Sequence, residues 1–229
     1  LNNILMDQTK LTAIIGAARL YQQSGLQSLV RKSKMLRLGS KRLADLEASM
    51  PYIPQPFFAA KGQTIHSTGE PKATVALLSG CFMPLFHGPQ MQAMERVLSR
   101  NGVVIKVPAA QVCCGAIHSH VGDLERSRQL ARQNIDTFLA EDADAILVAS
   151  AGCGIRMEEY GDLLRDDDEY AEKANRLSSM VRDIHEFLVE LPFDPPQGRL
   201  DYTVTYQDPC HLSHTQNVTS QPRKLLQSI

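Results

Sequence analysis

Residues 74–81 read Thr74-Val75-Ala76-Leu77-Leu78-Ser79-Gly80-Cys81, an apolar run that breaks at once into a Gly-Cys turn. Four to eight continuous apolar residues bounded by turn signals are the mark of a strand buried on both faces. Two further runs follow the same plan. Val103–Val107 leads into a loop holding Cys113 and Cys114, and Ala145–Ala149 ends at Gly152-Cys153-Gly154. Between the runs the apolar period changes to that of a helix. Pro89 suits a first turn, and Met91, Met94, Val97 and Leu98 fall on one face before Gly102. Asp123 can cap a second helix that carries Leu124, Ala131, Ile135 and Phe138. After the third run, Ala171, Ala174, Leu177, Val181, Ile184 and Leu188 predict one long amphipathic helix closed by Pro192. Buried strands alternating with helices give an α/β fold with a mainly parallel sheet and flanking helices.

Working outward, the chain divides into four stretches. Residues 1–49 form a helical segment, with helix expected over roughly 5–48 and breaks near Gly25 and Gly39. Residues 50–72 hold four prolines and little periodicity, and read as a linker. Residues 73–199 form a first cysteine-rich repeat, and residues 200–229 begin a second. The repeat rests on one register: Thr74-Val75 stands seven residues before Cys81, and Thr203-Val204 stands seven before Cys210. On that register Val204–Tyr206 is expected as a strand pairing with the sheet, and Asp208-Pro209 as the turn before Cys210. The start at Leu1 and the stop soon after the second repeat begins suggest a piece of a longer polypeptide.

Composition narrows the function classes. The 229 residues are 43% hydrophobic and carry a formal net charge of −1, with no overall nucleic-acid footprint. Residues 1–50 hold eight Lys or Arg against three Asp or Glu, and residues 156–172 hold two against eight. Both blocks read first as solvated helix faces. The basic one alternatively meets a partner subunit or an anionic membrane surface. No apolar run is long enough to span a bilayer, and the first residues lack the pattern of a signal peptide. Five cysteines, two of them adjacent, suit a reducing compartment better than a disulfide framework.

The cysteines fall where α/β sheets place ligands, at the carboxyl ends of parallel strands. Cys81, Cys113, Cys114 and Cys153 are therefore expected to converge, with Gly80, Gly115, Gly152 and Gly154 allowing close backbone approach. Four thiolates are the usual ligand set of an iron–sulfur cluster. A single cysteine is more often a small buried hydrophobe, but four at three equivalent turns argue for a shared site. The C-x2-4-C knuckles of structural zinc and the C-x-x-C of thiol redox enzymes are absent. His118, His120, His211 and His214 follow the cysteine turns and are expected more as hydrogen-bonding or loop residues than as ligands. His185 reads as a satisfied, half-buried residue, and Asp123, Asp183 and Asp208 as caps or turn residues. No residue is assigned as catalytic, and no Gly-x-Gly-x-x-Gly follows any expected strand.

Gln111-Val112-Cys113-Cys114-Gly115-Ala116, with Cys81 upstream and Ala151-Gly152-Cys153-Gly154 downstream, resembles the CCG cysteine-rich repeat of the heterodisulfide reductases and their relatives. The blocks Ser79-Gly80-Cys81, Glu159-Tyr160-Gly161 and Asp208-Pro209-Cys210-His211-Leu212 extend the resemblance to the glycolate oxidase iron–sulfur subunit family, over about residues 73–229. The resemblance implies an electron-transfer subunit of a membrane-associated 2-hydroxy-acid dehydrogenase. It would hold an iron–sulfur cluster, of the 4Fe-4S type, with FAD on flavin-containing partner subunits. Cytoplasmic placement with peripheral contact to the inner membrane goes with it. Cys81, Cys113, Cys114 and Cys153 become the implied ligands, and Cys210 the first cofactor-binding residue of the second repeat. Arg156 departs from the family pattern, which often has a second cysteine three residues after the Cys153 position. The remaining alternatives are a metal-free scaffold docking the flavin subunit and a thiol–disulfide reductase.

Overall fold

The computed structural model describes residues 7–229, and the chain divides into two compact units. The first is the segment Leu1–Phe58, described from Asp7 on, together with Cys81–Pro89. It contains α1 (Gln8–Gln23), α2 (Leu26–Ser33), α3 (Met35–Gly39), α4 (Lys41–Ala48) and α5 (Met83–Phe86). The helical expectation for residues 5 and 6 lies outside the described residues. Asp7 caps α1 by accepting from the Lys10 amide, and Ser40 caps α4 by accepting from the Leu43 amide. The breaks fall at Gly25, Lys34 and Ser40. Gly39 closes α3 from inside, and Lys34 takes a left-handed turn (φ 55°) that the sequence does not advertise.

The second unit comprises Ala59–Gly80 and Gln90–Ile229. Its five-stranded sheet has the order β1-β3-β2-β4-β5, with β1 (Gln63–Ile65), β2 (Ala73–Leu78), β3 (Val103–Val107), β4 (Ala145–Val148) and β5 (Val181–Asp183). β1 runs antiparallel to β3, and every other pairing is parallel. Val75 aligns with Ile105 on one side and with Ala145 on the other. The crossovers carry α6 (Gly88–Arg100, in this unit from Gln90), α7 (Ala116–His120), α8 (Leu124–Leu139), α9 (Ala151–Glu158), α10 (Tyr160–Leu163) and α11 (Ala171–Met180). α12 (Ile184–Glu190), a π-helical turn (His211–Thr215) and α13 (Ser220–Gln227) complete it. Val75, Ala76, Leu77, Ile105, Ile146 and Leu147 are fully buried, as are Leu98 of α6, Ile135 and Phe138 of α8 and Leu177 of α11. Burial on both faces is why these strands read as unbroken apolar runs.

Three expectations are corrected here. The stripe from Ala171 to Leu188 is not one helix: Val181–Asp183 leaves it as β5 and pairs with β4. Asp183 then restarts the helix by accepting from the His185 amide at 2.8 Å. The proline-rich stretch 50–72 contributes β1, which covers the free edge of β3. Val204–Tyr206 forms no strand. Val204 is exposed, and Tyr206 lies under the Arg223 guanidinium, 5.2 Å from its ring centroid. Arg223 also grips Asp208 with two bonds of 2.6 Å, so the segment ahead of Cys210 is bound to α13 rather than to the sheet.

Candidate functional site

β2 is flanked by β3 on one side and β4 on the other, so the crossover from β2 to β3 and the one from β3 to β4 run in opposite directions across the sheet. A switch of this kind opens a crevice at the carboxyl ends of the strands, where open α/β sheets bind ligands. The loop after β3 and the helix after β4 meet there. Cys113 and Cys114 lie in the β3–α7 loop, and Cys153 in the first turn of α9.

Side-chain amides fix that loop. Gln111 Oε1 accepts from the Ser79 amide (2.7 Å) and hydroxyl (3.0 Å), while its Nε2 donates to the carbonyls of Leu77 (3.1 Å) and Pro108 (3.0 Å). The end of β2 is thereby tied to the start of the cysteine loop. Buried Asn134, on α8, accepts from the Val112 amide at 2.9 Å and donates to the Cys113 carbonyl and the Tyr160 hydroxyl, both at 3.1 Å. Tyr160 in turn donates to the Cys114 carbonyl at 2.9 Å. These bonds match buried polar groups of the loop with partners, as burial requires. Gly115 has φ +86°, and a Cβ there would meet Ser127 Oγ at 2.8 Å. Only glycine suits both the left-handed turn and the approach to α8. Gly154 similarly leaves room for the Gln216 side chain.

Within the second unit, Cys113, Cys114 and Cys153 come together. The Cys114 thiol is in hydrogen-bonding reach of both Cys113 and Cys153. Those bonds and burial push the Cys114 thiol well up. The hydrogen bond from Cys114, helped by the Ser150 hydroxyl, draws Cys153 down despite its burial. Cys153 is the thiol of the three nearest to solvent. Burial, and next the neighbouring Cys114, hold the Tyr160 phenol far above its ordinary range.

Cys81 is buried in the first unit, where its carbonyl accepts from Gln8 Nε2 at 3.4 Å. Cys210 is exposed at the start of the π-helical turn, which packs against α9. Among the histidines, His120, His211 and His214 are exposed, and His185 pairs with Asp183 at 2.8 Å. His118 differs: it is 1% exposed, and neither ring nitrogen has a partner among the described residues. Sequence reasoning noted Glu159-Tyr160-Gly161 as a block without a role, and missed Gln111 and Asn134 as the residues holding the loop. A polar residue beside a cysteine pair and another in an otherwise apolar helix face were the only signals.

Chemically, the site offers closely packed sulfur donors, and the helix that follows the cysteine pair carries a buried imidazole with open hydrogen-bonding capacity. Among the described residues no three His, Cys, Asp or Glu side chains surround a single metal-ion position. The thiols instead hydrogen-bond to one another, and binding iron there as thiolates would release protons. The sulfur donors and the orphaned imidazole together fit an iron–sulfur group, whose ligands are thiolates and whose sulfurs accept hydrogen bonds.

Residues 75–158 match the family of CCG cysteine-rich domains, and residues 1–50 match the linker region of glycolate oxidase iron–sulfur subunits. A probable glycolate oxidase iron–sulfur subunit of Bacillus subtilis is 38% identical, over 97% of this chain and 51% of its own length. The glycolate oxidase iron–sulfur subunit of Escherichia coli is 32% identical, over 77% of this chain and 45% of its own. Lactate utilization protein A of Bacillus licheniformis is 31% identical, over 68% and 65%. The chain thus spans about half the length of the glycolate oxidase relatives it matches. No solved structure matches it.

Proposed function

Because the chain belongs to the CCG cysteine-rich family and carries the linker region of glycolate oxidase iron–sulfur subunits, we propose that it is an iron–sulfur electron-transfer subunit of a glycolate (2-hydroxy acid) dehydrogenase. The observation that carries this reading is the trio Cys113, Cys114 and Cys153 at the switch point of the sheet. These three would hold an iron–sulfur cluster, of the 4Fe-4S type. Cys81 is added as the fourth ligand on its place in the sequence alone. When bound, such a cluster accepts and passes on single electrons.

The chain's own residues supply the rest. Gln111, Asn134 and Tyr160 fix the backbone of the cysteine loop, so the ligands are pre-set rather than searched for. Leu77 and Leu78 at the end of β2 and Ile155 of α9 are buried and apolar. Electrons would arrive from a flavin-containing partner subunit carrying FAD, on which the hydroxy acid is oxidised. Residues 73–199 would form the first CCG repeat and residues 200–229 the start of a second, with Cys210 belonging to its separate site. Among the described residues no helix is long and apolar enough to cross a membrane. Peripheral attachment at the cytoplasmic face of the inner membrane, through the basic residues of α2 to α4, completes the reading.

Iron and acid-labile sulfide in anaerobically purified protein test this. About four of each per chain are expected. A folded protein without either would overturn the cluster and favour the metal-free scaffold. A reversible disulfide within the trio, without iron, would favour thiol–disulfide chemistry.

A further inference from the structure

Two donor groups on the helices that follow Cys113-Cys114 and carry Cys153 lack any acceptor among the described residues. His118 lies on α7, the short helix that follows the Cys113-Cys114-Gly115 turn directly, and both its ring nitrogens are buried and unpartnered. Arg156 lies on α9, three residues after Cys153 and so on the same helix face. Its Nη1 donates to Ser119 Oγ at 2.7 Å and its Nη2 meets Glu159 Oε2 at 2.9 Å, but its buried Nε has no partner. The bond to Ser119, the neighbour of His118, pins α7 to α9. The two open donors therefore belong to one corner of the crevice, reached from both cysteine-bearing segments.

An arginine Nε can only donate, and a neutral imidazole has one donor and one acceptor nitrogen. Leaving such donors buried and unmatched is costly, so a bound group that presents acceptor atoms would be stabilised there. A thiolate-ligated iron–sulfur group is anionic and presents sulfur acceptors, and hydrogen bonds to those sulfurs help set its potential. Building on the cluster reading above, we propose that His118 and Arg156 are hydrogen-bond donors to the sulfur group held by Cys113, Cys114 and Cys153, and that they raise its reduction potential. Arg156 is then no mere gap in the family's cysteine pattern: a cation-bearing donor stands where a further thiolate would add negative charge. His118 and Arg156 act as positioning and tuning residues, not as ligands.

The test is a redox titration of anaerobically purified protein, followed by electron paramagnetic resonance, with iron and sulfide measured in parallel. His118→Leu should keep its iron and make reduction about tenfold less favourable, a drop of about 59 mV for a one-electron couple. His118→Gln, which restores a donor, should recover much of that shift. Arg156→Lys keeps the charge but removes the Nε donor, and should move the potential in the same direction. This arm carries the test alone if His118→Leu does not fold. An unchanged midpoint with iron retained in either variant overturns the donor role. Loss of iron from both His118 variants overturns it too, since His118 would then be a ligand. Absence of iron from the unaltered protein would instead defeat the cluster reading itself.

Discussion

The Tyr160 hydroxyl donates to the Cys114 carbonyl at 2.9 Å while accepting from Asn134 at 3.1 Å, so a buried phenol on α10 decides where the second thiol of the pair stands. Tyr160→Phe removes one hydroxyl without opening a large cavity, and leaves the Cys114 carbonyl unmatched. The expected loss is about 1–3 kcal/mol. At roughly 2–4 °C per kcal/mol for a chain of this size, a thermal melt resolves it. A melting temperature equal to that of the parent protein would show that the bond does not hold the loop.

Gly115→Ala is expected to be more damaging than its size suggests. The left-handed backbone costs about 1–2 kcal/mol for a residue with a Cβ, and the added carbon meets Ser127 Oγ at 2.8 Å. Trimming the obstacle should not rescue it. In Gly115→Ala/Ser127→Ala the backbone penalty remains, and Ser127 Cα and its carbonyl oxygen still lie 3.3 Å from the new carbon. Full recovery of the melting temperature in the double variant would contradict this account.

Cys153→Ser and Cys210→Ser should part company. The first removes a member of the buried trio, and bound iron should fall severalfold. The second changes an exposed thiol on the π-helical turn, and iron should stay at the parent level. Equal losses in both would mean that Cys210 serves the first site after all. Cys81→Ser, measured alongside, decides whether the fourth ligand has been assigned correctly.

Acid should weaken the fold partly through Asp167. Its carboxylate takes 2.8 Å bonds from Arg132, and that hydrogen bonding holds it below the usual carboxylate range. A depressed native value means the unfolded chain binds the proton more readily. The pair's contribution is therefore present above the unfolded value near about 3.9 and is lost as pH falls through the native one. The melting temperatures of the parent and Asp167→Asn should differ at pH 7 and converge as pH drops below about 4. A gap constant from pH 7 to pH 2 would exclude this contribution.

The central strands were legible because Val75–Leu78, Val103–Val107 and Ala145–Val148 are buried on both faces and read as apolar runs. β5 was not. Leu177, Val181, Ile184 and Leu188 follow steps of three and four, which a single helix satisfies as well as helix, strand and helix do. Three residues of strand are too few to reset that period. The thiol trio could be anticipated from its place at strand ends. The supports could not, since Gln111, Asn134 and Tyr160 act through backbone groups that no side-chain pattern announces. His118 and His120 look alike in sequence, and only packing against α8 and α9 separates the buried one from the exposed one. The register of Thr203 and Val204 suggested a strand, but Arg223 offers Tyr206 and Asp208 nearer partners.

β2 and β4 are neighbours in the sheet although about seventy residues separate them in the chain. During synthesis, then, Cys113 and Cys114 emerge before anything exists to close over them. Cys153 follows about forty residues later, some 2–8 s at ribosomal rates of roughly 5–20 residues per second. β4 cannot dock until that length has cleared the exit tunnel, so the nascent chain carries a vicinal thiol pair open to oxidants. The cluster proposed for these cysteines could be delivered only to a finished sheet, which would make the reducing power of the surrounding cell a condition of maturation rather than only of turnover.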